Sequence, residues 1–331
     1  MLQAAVIGLG WWGKMIIHTM RGSDKLRIVK GIDTDSATAG WARSQDLAFA
    51  TALDDALADP AIGAVILCTP HSTHGDLIAR TAAAKKHVFC EKPLALSRRE
   101  AVASIAACNA NGVVLGVGHE RRFEPPILEL TRLAKTGELG TLLQIDASFC
   151  HDKLVSLAAD NWRLSNKEAP AGPLTSTGIH LLDLAVSLLG PAAQAHAAVS
   201  QLGSNLANGD TLGALVTFKS GANLLICAIL ATPFAGRFTV YGNQGWVEIR
   251  DKAHPDAPAG WVLTKCLSGR SPTTVDYPAG QPVRANLEAF ADTASGGAPY
   301  PIPQAEMIAT IAAFEAIVTA AASGALAQVE G

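Results

Sequence analysis

Glu91-Lys92-Pro93 follows the apolar run His87-Val88-Phe89-Cys90, so a carboxylate, an ammonium and a proline arrive together where a buried strand would end. An ammonium at that point can be a solvated surface group paired with Glu91. It can also be a proton-handling or substrate-orienting group, because the carboxyl ends of parallel strands face the ligand crevice of an open α/β sheet. Pro93 would fix the turn, with a cis bond open to it, and Glu91 would hold the turn beside the crevice.

A second stretch, Gly8-Leu9-Gly10-Trp11-Trp12-Gly13, has the GxGxxG spacing of a dinucleotide site. It follows a short apolar run and opens a helical pattern, the context this motif requires. Gly8 allows the tight turn, Gly10 lets the backbone approach a pyrophosphate, and Gly13 lets helix and strand pack closely. The helix start offers unpaired N–H groups to the phosphates. Of Trp11 and Trp12, one is expected to pack on the helix and one to border the cofactor. Asp33 lies 20 residues beyond Gly13, where an acid bonds the ribose hydroxyls of NAD. Thr34, Asp35 and Ser36 follow it, with no Arg or Lys, so NAD is expected rather than NADP. A third cluster, Cys68-Thr69-Pro70-His71-Ser72-Thr73-His74, sits after the apolar run Ala64–Leu67. Thr69 and Pro70 are expected to border the cofactor. For His71 and His74, helix-capping or cofactor-lining roles are expected ahead of catalysis.

Elements that could position these residues alternate along the first part of the chain. Apolar strand-like runs at 4–8, 26–32, 63–68, 87–90 and 113–118 are separated by helical patterns, and Ser97-Arg98-Arg99-Glu100 has capping-box spacing. That alternation predicts a doubly wound parallel sheet covered on both faces. After residue 120 the pattern changes. Helical patterns at 127–137 and 175–190 flank a strand at 141–149, and a series of strand-like runs separated by turns extends to residue 266. Two helices near the end complete an α+β domain with a large, mostly antiparallel open sheet. The expected domains are 1–120, binding NAD, and 121–331, binding substrate and mediating homodimer or homotetramer assembly through the sheet's uncovered face.

Composition sets outer limits. The chain has 331 residues, 49% hydrophobic and 17% charged, with net charge -3. A core can form, and no basic excess is present to neutralise phosphates, which argues against a nucleic-acid binder. The six cysteines show no CxxC or other ligand spacing and fall mostly in apolar runs, as buried thiols of a reducing compartment would. No metal-ligand spacing occurs among the nine histidines. No apolar run is read as long enough to span a membrane, and no signal peptide is read at the start. A cytoplasmic protein with a small-molecule partner is the expectation.

Together with Gly178-Ile179-His180-Leu181-Leu182-Asp183 and the segment Gly118–Phe123, these motifs resemble the Gfo/Idh/MocA oxidoreductases, the family of glucose-fructose oxidoreductase and inositol dehydrogenase. The resemblance covers nearly the whole chain. It implies a Rossmann domain, then an α/β domain with an open sheet often used for oligomerisation. It implies hydride transfer between a nicotinamide and a carbinol carbon of a sugar or cyclitol. Carried over by position, Lys92 resembles the active-site lysine and His180 the base that takes the hydroxyl proton. Asp183 resembles a substrate-binding or His-supporting carboxylate. Glu120 and Arg121 fall in a substrate-contacting loop, Trp162-Arg163 resembles a pair approaching cofactor and substrate, and Ser176 and Thr177 lie in the substrate segment. Histidine suits base catalysis near neutrality. Lysine must have its pKa lowered to act as a base, or stay charged and act electrostatically; both roles stay open. His180 and Asp183, three apart on a helix, share a face.

The sequence departs from the family pattern at two positions. Ser176 stands where the family commonly has aspartate, and Ala171 where it has glycine. With His119, Arg121, His151 and Arg163 as basic neighbours, a carboxylate-bearing substrate is also open. The alternatives are an NAD-binding regulator without chemistry and a redox-neutral enzyme with tightly held NAD.

Overall fold

The computed structural model describes residues 1–255 and 257–330, and its chain divides into two compact units. The first contains Met1–Glu120 and Gln281–Met307, the second Arg121–Gly280 and Ile308 onward. Gly331, the last residue of the expected second domain, lies outside the described residues.

In the first unit the strands are β1 (Leu2–Ile7), β2 (Leu26–Ile32), β3 (Ala48–Ala50), β4 (Ala64–Leu67), β5 (His87–Cys90) and β6 (Leu115–Val117). Helices α1 (Trp11–Thr19), α2 (Ala39–Ser44), α3 (Asp54–Leu57), α4 (His74–Ala83) and α5 (Arg98–Asn111) connect them. All pairings are parallel in the order β3-β2-β1-β4-β5-β6. Continuous apolar runs such as Ala64–Leu67, buried at every residue, suit strands covered on both faces. The strand order reverses between β1 and β4, so their carboxyl ends flank the switch point where ligands bind. Ser97 caps α5 by accepting a hydrogen bond from the Glu100 N–H at 3.3 Å, and Gly112, at φ +68°, ends it. The edge strand β3 carries no clear sequence signal.

Gln281–Met307, assigned from sequence to the second domain, is counted with the first unit. Core packing is the reason. Leu287, Phe290 and Ala291 of helix α8 (Pro282–Ala294, numbered in chain order) join the first core. The Phe290 ring lies 5.6 Å from Phe89, edge to face. The Asn286 side-chain amide and the Tyr300 hydroxyl donate to the Val117 carbonyl, at 2.9 and 3.0 Å.

In the second unit, helix α6 (Pro125–Lys135) precedes β7 (Leu142–Cys150), and α7 (Ile179–Leu189) precedes β8 (Ala192–Ser200). The chain then forms β9 (Thr211–Phe218), β10 (Asn223–Ile229), β11 (Ala235–Gly242), β12 (Gly245–Asp251), β13 (Trp261–Leu267) and β14 (Thr273–Tyr277). It closes with helix α9 (Gln304–Ser323), which begins in the first unit, and β15 (Ala327–Gln328). These nine strands lie in the order β14-β13-β12-β11-β7-β10-β9-β8-β15, antiparallel except for β7 with β10. Burial alternates along β9 and β10, so one face is covered. On the other face Leu215 pairs with Leu225, and both stay more than a third exposed, as does Tyr241.

Helix α9 corrects one expectation. Its 20 residues are long and apolar enough to cross a membrane by length and composition, a run the sequence reading missed because small alanines carry much of it. Half of that stretch is buried inside the protein, including Met307, Ile311, Phe314 and Ile317, as in the core helix of a soluble domain.

One buried carboxylate ties the β8–β9 loop. Asp210 accepts hydrogen bonds from the Leu202 and Gly203 N–H groups and from the Ser204 and Thr211 hydroxyls, at 2.8–3.1 Å. Burial opposes its charge, but these bonds outweigh it and hold its pKa down at about 2. The folded pKa is depressed, so this stabilisation is complete above about pH 4 and is lost as pH falls towards 2. Asp210→Asn should unfold more easily at neutral pH, and its urea midpoint should depend less on pH between about 4 and 2 than that of the native protein.

Candidate active site

The first unit builds a cofactor cradle from backbone. Gly8 has φ +90°, and a Cβ there would lie 2.5 Å from the Cys68 carbonyl oxygen. A Cβ on Gly13 would collide with the Gly8 carbonyl. Glycine is required at both positions. Gly10 is the N-cap of α1 and offers no side-chain cap, while a Cβ there would meet nothing within 4 Å. The first turn of α1 therefore starts without a side-chain cap and with open space beside Gly10, which suits a pyrophosphate. Asp33 stands at the end of β2. Its Oδ2 accepts from the Leu9 N–H at 2.6 Å and its Oδ1 from the Asp35 N–H at 2.9 Å. Both oxygens keep a lone pair for a ribose hydroxyl. These features fit the NAD expected from the motif. Trp11 is 57% exposed, whereas Trp12 packs on the core with its buried Nε1 lacking a hydrogen-bond partner among the described residues.

Beyond β4, the Thr69 and Thr73 hydroxyls are 2.8 Å apart, and Thr73 donates to the Pro70 carbonyl at 2.7 Å. His74, expected to cap a helix or line the cofactor, is fully buried. Its Nδ1 lies 3.0 Å from the Pro93 carbonyl oxygen and its Nε2 3.2 Å from that of Thr69. Beyond β5, the Glu91 carboxylate is buried in space that Gly118 leaves open: a Cβ on Gly118 would come within 2.5 Å of it. Its Oε2 accepts from the Lys92 N–H at 3.3 Å, so Glu91 braces its own turn. Lys92 is partly exposed, and the Lys92–Pro93 bond is cis. Glu120, at the end of this unit, is buried.

The second unit brings together residues far apart in sequence. Arg121 was expected to contact substrate, but it is buried and committed elsewhere. Its Nε donates to Glu124 at 3.0 Å, and its Nη2 donates to both Asp251 oxygens at 2.8 and 2.9 Å. Burial alone would lower its pKa, but Asp251 and Glu124 outweigh it and raise it. Asp183 likewise does not face solvent. Arg122 donates to both its oxygens at 2.7 Å, and the Thr310 hydroxyl to Oδ1 at 3.3 Å. This bidentate pair holds α7 three residues past His180. His180 is buried, with its ring 5.9 Å from Phe149.

The turn before His180 is not the α-helix expected. Leu174–Gly178 is π-helical, so Ser176 and His180 are not related by an ordinary α-helical turn. Its threonine hydroxyls bond carbonyls just before it: Thr175 donates to Pro170, and Thr177 to Pro173 at 3.0 Å. Thr177, expected to bind substrate, is buried in that bond. Ser176 is partly exposed. Ala171, standing where the family has glycine, adopts φ +48°, a region that glycine occupies without strain.

Trp162 and Arg163 form a short 3₁₀ turn capped by Asn161, with the guanidinium 4.2 Å over the Trp162 ring. Sequence reading missed what pins this loop. The Asn208 side-chain amide donates to the Arg163 and Ala169 carbonyls, each at 2.9 Å. A further set surrounds Phe149: the rings of His151, His254 and Phe234 lie within about 6 Å of it, and Lys153 Nζ lies 2.9 Å from His254 Nδ1. His119, like His151, is buried. No group of three or more His, Cys, Asp or Glu able to hold a metal occurs among the described residues.

Comparison with known proteins bears on both units. Residues 2–119 match the family model described as "Oxidoreductase family, NAD-binding Rossmann fold", and residues 127–248 match "GFO/IDH/MocA C-terminal domain". The chain is 30% identical to the uncharacterized oxidoreductase YrbE of Bacillus subtilis (strain 168) over 75% of its length and 71% of that protein. It is 31% identical to the 2,7-anhydro-N-acetylneuraminate hydratase of Escherichia coli (strain K12) over 63% of its length and 54% of that protein. The solved aldose-aldose oxidoreductase of Caulobacter crescentus, complexed with glycerol, superposes with TM-score 0.87 at 24% identity, covering 99% of each chain. That likeness concerns the fold.

Proposed function

The chain belongs to the Gfo/Idh/MocA oxidoreductases, with an NAD-binding Rossmann fold at its amino-terminal end, and on that premise we propose that it is an NAD-dependent dehydrogenase of a sugar, cyclitol or related polyol. One observation carries the reading. Lys92 follows β5, and β5, β4 and β1 are parallel neighbours. Strand spacing therefore puts the Lys92 turn roughly 10 Å from the uncapped glycine turn, on the same edge of the sheet. A lysine at that distance suits the reacting end of a dinucleotide whose phosphates sit on α1.

Bound nicotinamide supplies the acceptor for a hydride leaving the carbinol carbon. The chain's own side chains deal with the proton. A neutral imidazole at His180 can receive the hydroxyl proton, while an ammonium at Lys92 can donate a hydrogen bond to a reacting hydroxyl and stabilise its developing negative charge. With Lys92 neutral the roles exchange. Asp33, with Asp35 beside it and no basic residue from Thr34 to Ala39, favours NAD over NADP.

A carboxylate-bearing substrate is the second reading. His151, His254 and Lys153 gather around Phe149, whose ring also lies against His180. A relative named for an acidic sugar supports this reading, and its designation as a hydratase keeps a redox-neutral use of NAD in view. We also propose that the open face of the nine-stranded sheet joins copies of this chain.

A panel of sugars, sugar acids and cyclitols, assayed by absorbance with NAD and NADP, tests the reading. NADH formation from at least one polyol, with NAD bound more tightly than NADP, is expected. Copurified cofactor with no net NADH from any panel member would replace the dehydrogenase reading with the redox-neutral one.

A further inference from the structure

His74 stands between the two turns at the carboxyl ends of β4 and β5. Its ring is fully buried, with Nδ1 3.0 Å from the Pro93 carbonyl oxygen and Nε2 3.2 Å from the Thr69 carbonyl oxygen. Both facing atoms are acceptors, so only N–H groups of the ring can bond them. A neutral imidazole has one such group. The ring stands at the first residue of α4, the positive end of the helix dipole, where a positive charge is disfavoured. Charged and titratable groups nearby in the chain are His71, whose ring lies 5.6 Å away, Asp76 on α4, and Glu91 and Lys92 on the β5 turn. The single proton belongs on the shorter contact, Nδ1 to Pro93.

We infer that His74 is a positioning residue for Lys92: its Nδ1–H donates to the Pro93 carbonyl and ties the Lys92 turn to the start of α4. The Lys92 turn is then held on both sides of the lysine. Glu91, in the space left by Gly118, holds the amide before it, and His74 holds the carbonyl after it. The remaining Nε2 contact becomes a hydrogen bond only when the ring takes up a second proton. This inference rests on the reading of Lys92 as a group at the reacting hydroxyl.

The test compares three substitutions that dissect the ring. The asparagine amide nitrogen can stand in for Nδ1, the glutamine amide nitrogen for Nε2, and leucine for neither. With the panel substrate turned over fastest by the native protein, His74→Leu and His74→Gln should lower kcat about 10- to 100-fold, the scale of a misplaced reacting group. NAD affinity, read by fluorescence titration, should stay within about twofold. His74→Asn should recover most of the loss. A substrate-free reading runs alongside: ¹⁵N spectra of histidine-labelled protein, with His74 assigned by its disappearance in a variant, should show a slowly exchanging proton on Nδ1. A bare Nδ1 overturns the inference. So does recovery by glutamine in place of asparagine, or a loss of NAD affinity matching the loss of kcat. If Lys92→Ala is inactive while His74→Leu keeps full kcat, this inference alone fails. If Lys92→Ala keeps full turnover, the reading of Lys92 fails and takes this inference with it.

Discussion

Lys92→Ala should lower kcat by about 10²- to 10⁴-fold while changing NAD affinity by no more than about twofold. Removing a preorganised donor to a developing oxyanion, or a general base, costs a factor in that range. Binding energy for the cofactor comes from elsewhere: the glycine turn, the uncapped start of α1 and Asp33. Stopped-flow measurement of NADH formation, with a separate NAD titration, distinguishes the two quantities. Full turnover in this variant would remove the central assignment. Lys92→Arg keeps the charge but not the compact ammonium. It should remain slow if Lys92 must lose or share its proton, and recover partly if charge alone is needed.

His180→Ala should cost a similar factor and leave a distinct mark on the pH profile. A histidine base must be neutral to accept a proton, so kcat/KM should fall at low pH in the native protein. That acid limb should vanish in the variant, with residual activity rising with hydroxide. An unchanged acid limb would exclude His180 as the base and leave the role to Lys92. Asp183→Asn differs in kind. It weakens a bidentate pair between the buried Asp183 and the partly buried Arg122, so lost stability should accompany any lost activity. A melting curve separates it from His180→Ala.

What the sequence made legible was mostly local. The glycine turn could be read because Gly8 meets the backbone of Cys68 and Thr69 and Gly13 that of Gly8, where only glycine fits. The parallel sheet could be read from short apolar runs, since strands buried on both faces need no alternation. The family marks around Lys92 and His180 are likewise contiguous. What could not be read depends on distant partners. Arg121 reads in the sequence as a substrate-contacting side chain, and nothing there shows its ion pair with Asp251, 130 residues away. Asp183 is claimed by Arg122 across 61 residues. Asn208 carries no sign of its grip on the carbonyls of Arg163 and Ala169. The π-helical turn before His180, flanked by threonine hydroxyls bonded to the Pro170 and Pro173 carbonyls, is not registered by an α-helical periodicity.

Phe290 gives the first unit a schedule as well as a core. Its ring fills the space beside Phe89 and against Gly116, yet the ribosome delivers it some 170 residues after the last strand of that sheet is made. At about 5–20 residues per second, the emerging sheet waits roughly 10–30 s for its missing aromatic layer. During that interval the second unit is synthesised while the cofactor-binding half stays incompletely packed. A nascent chain of this design should depend on chaperones through mid-synthesis, and a shortened protein ending at residue 120 should behave as an aggregation-prone fragment rather than as a small NAD-binding protein.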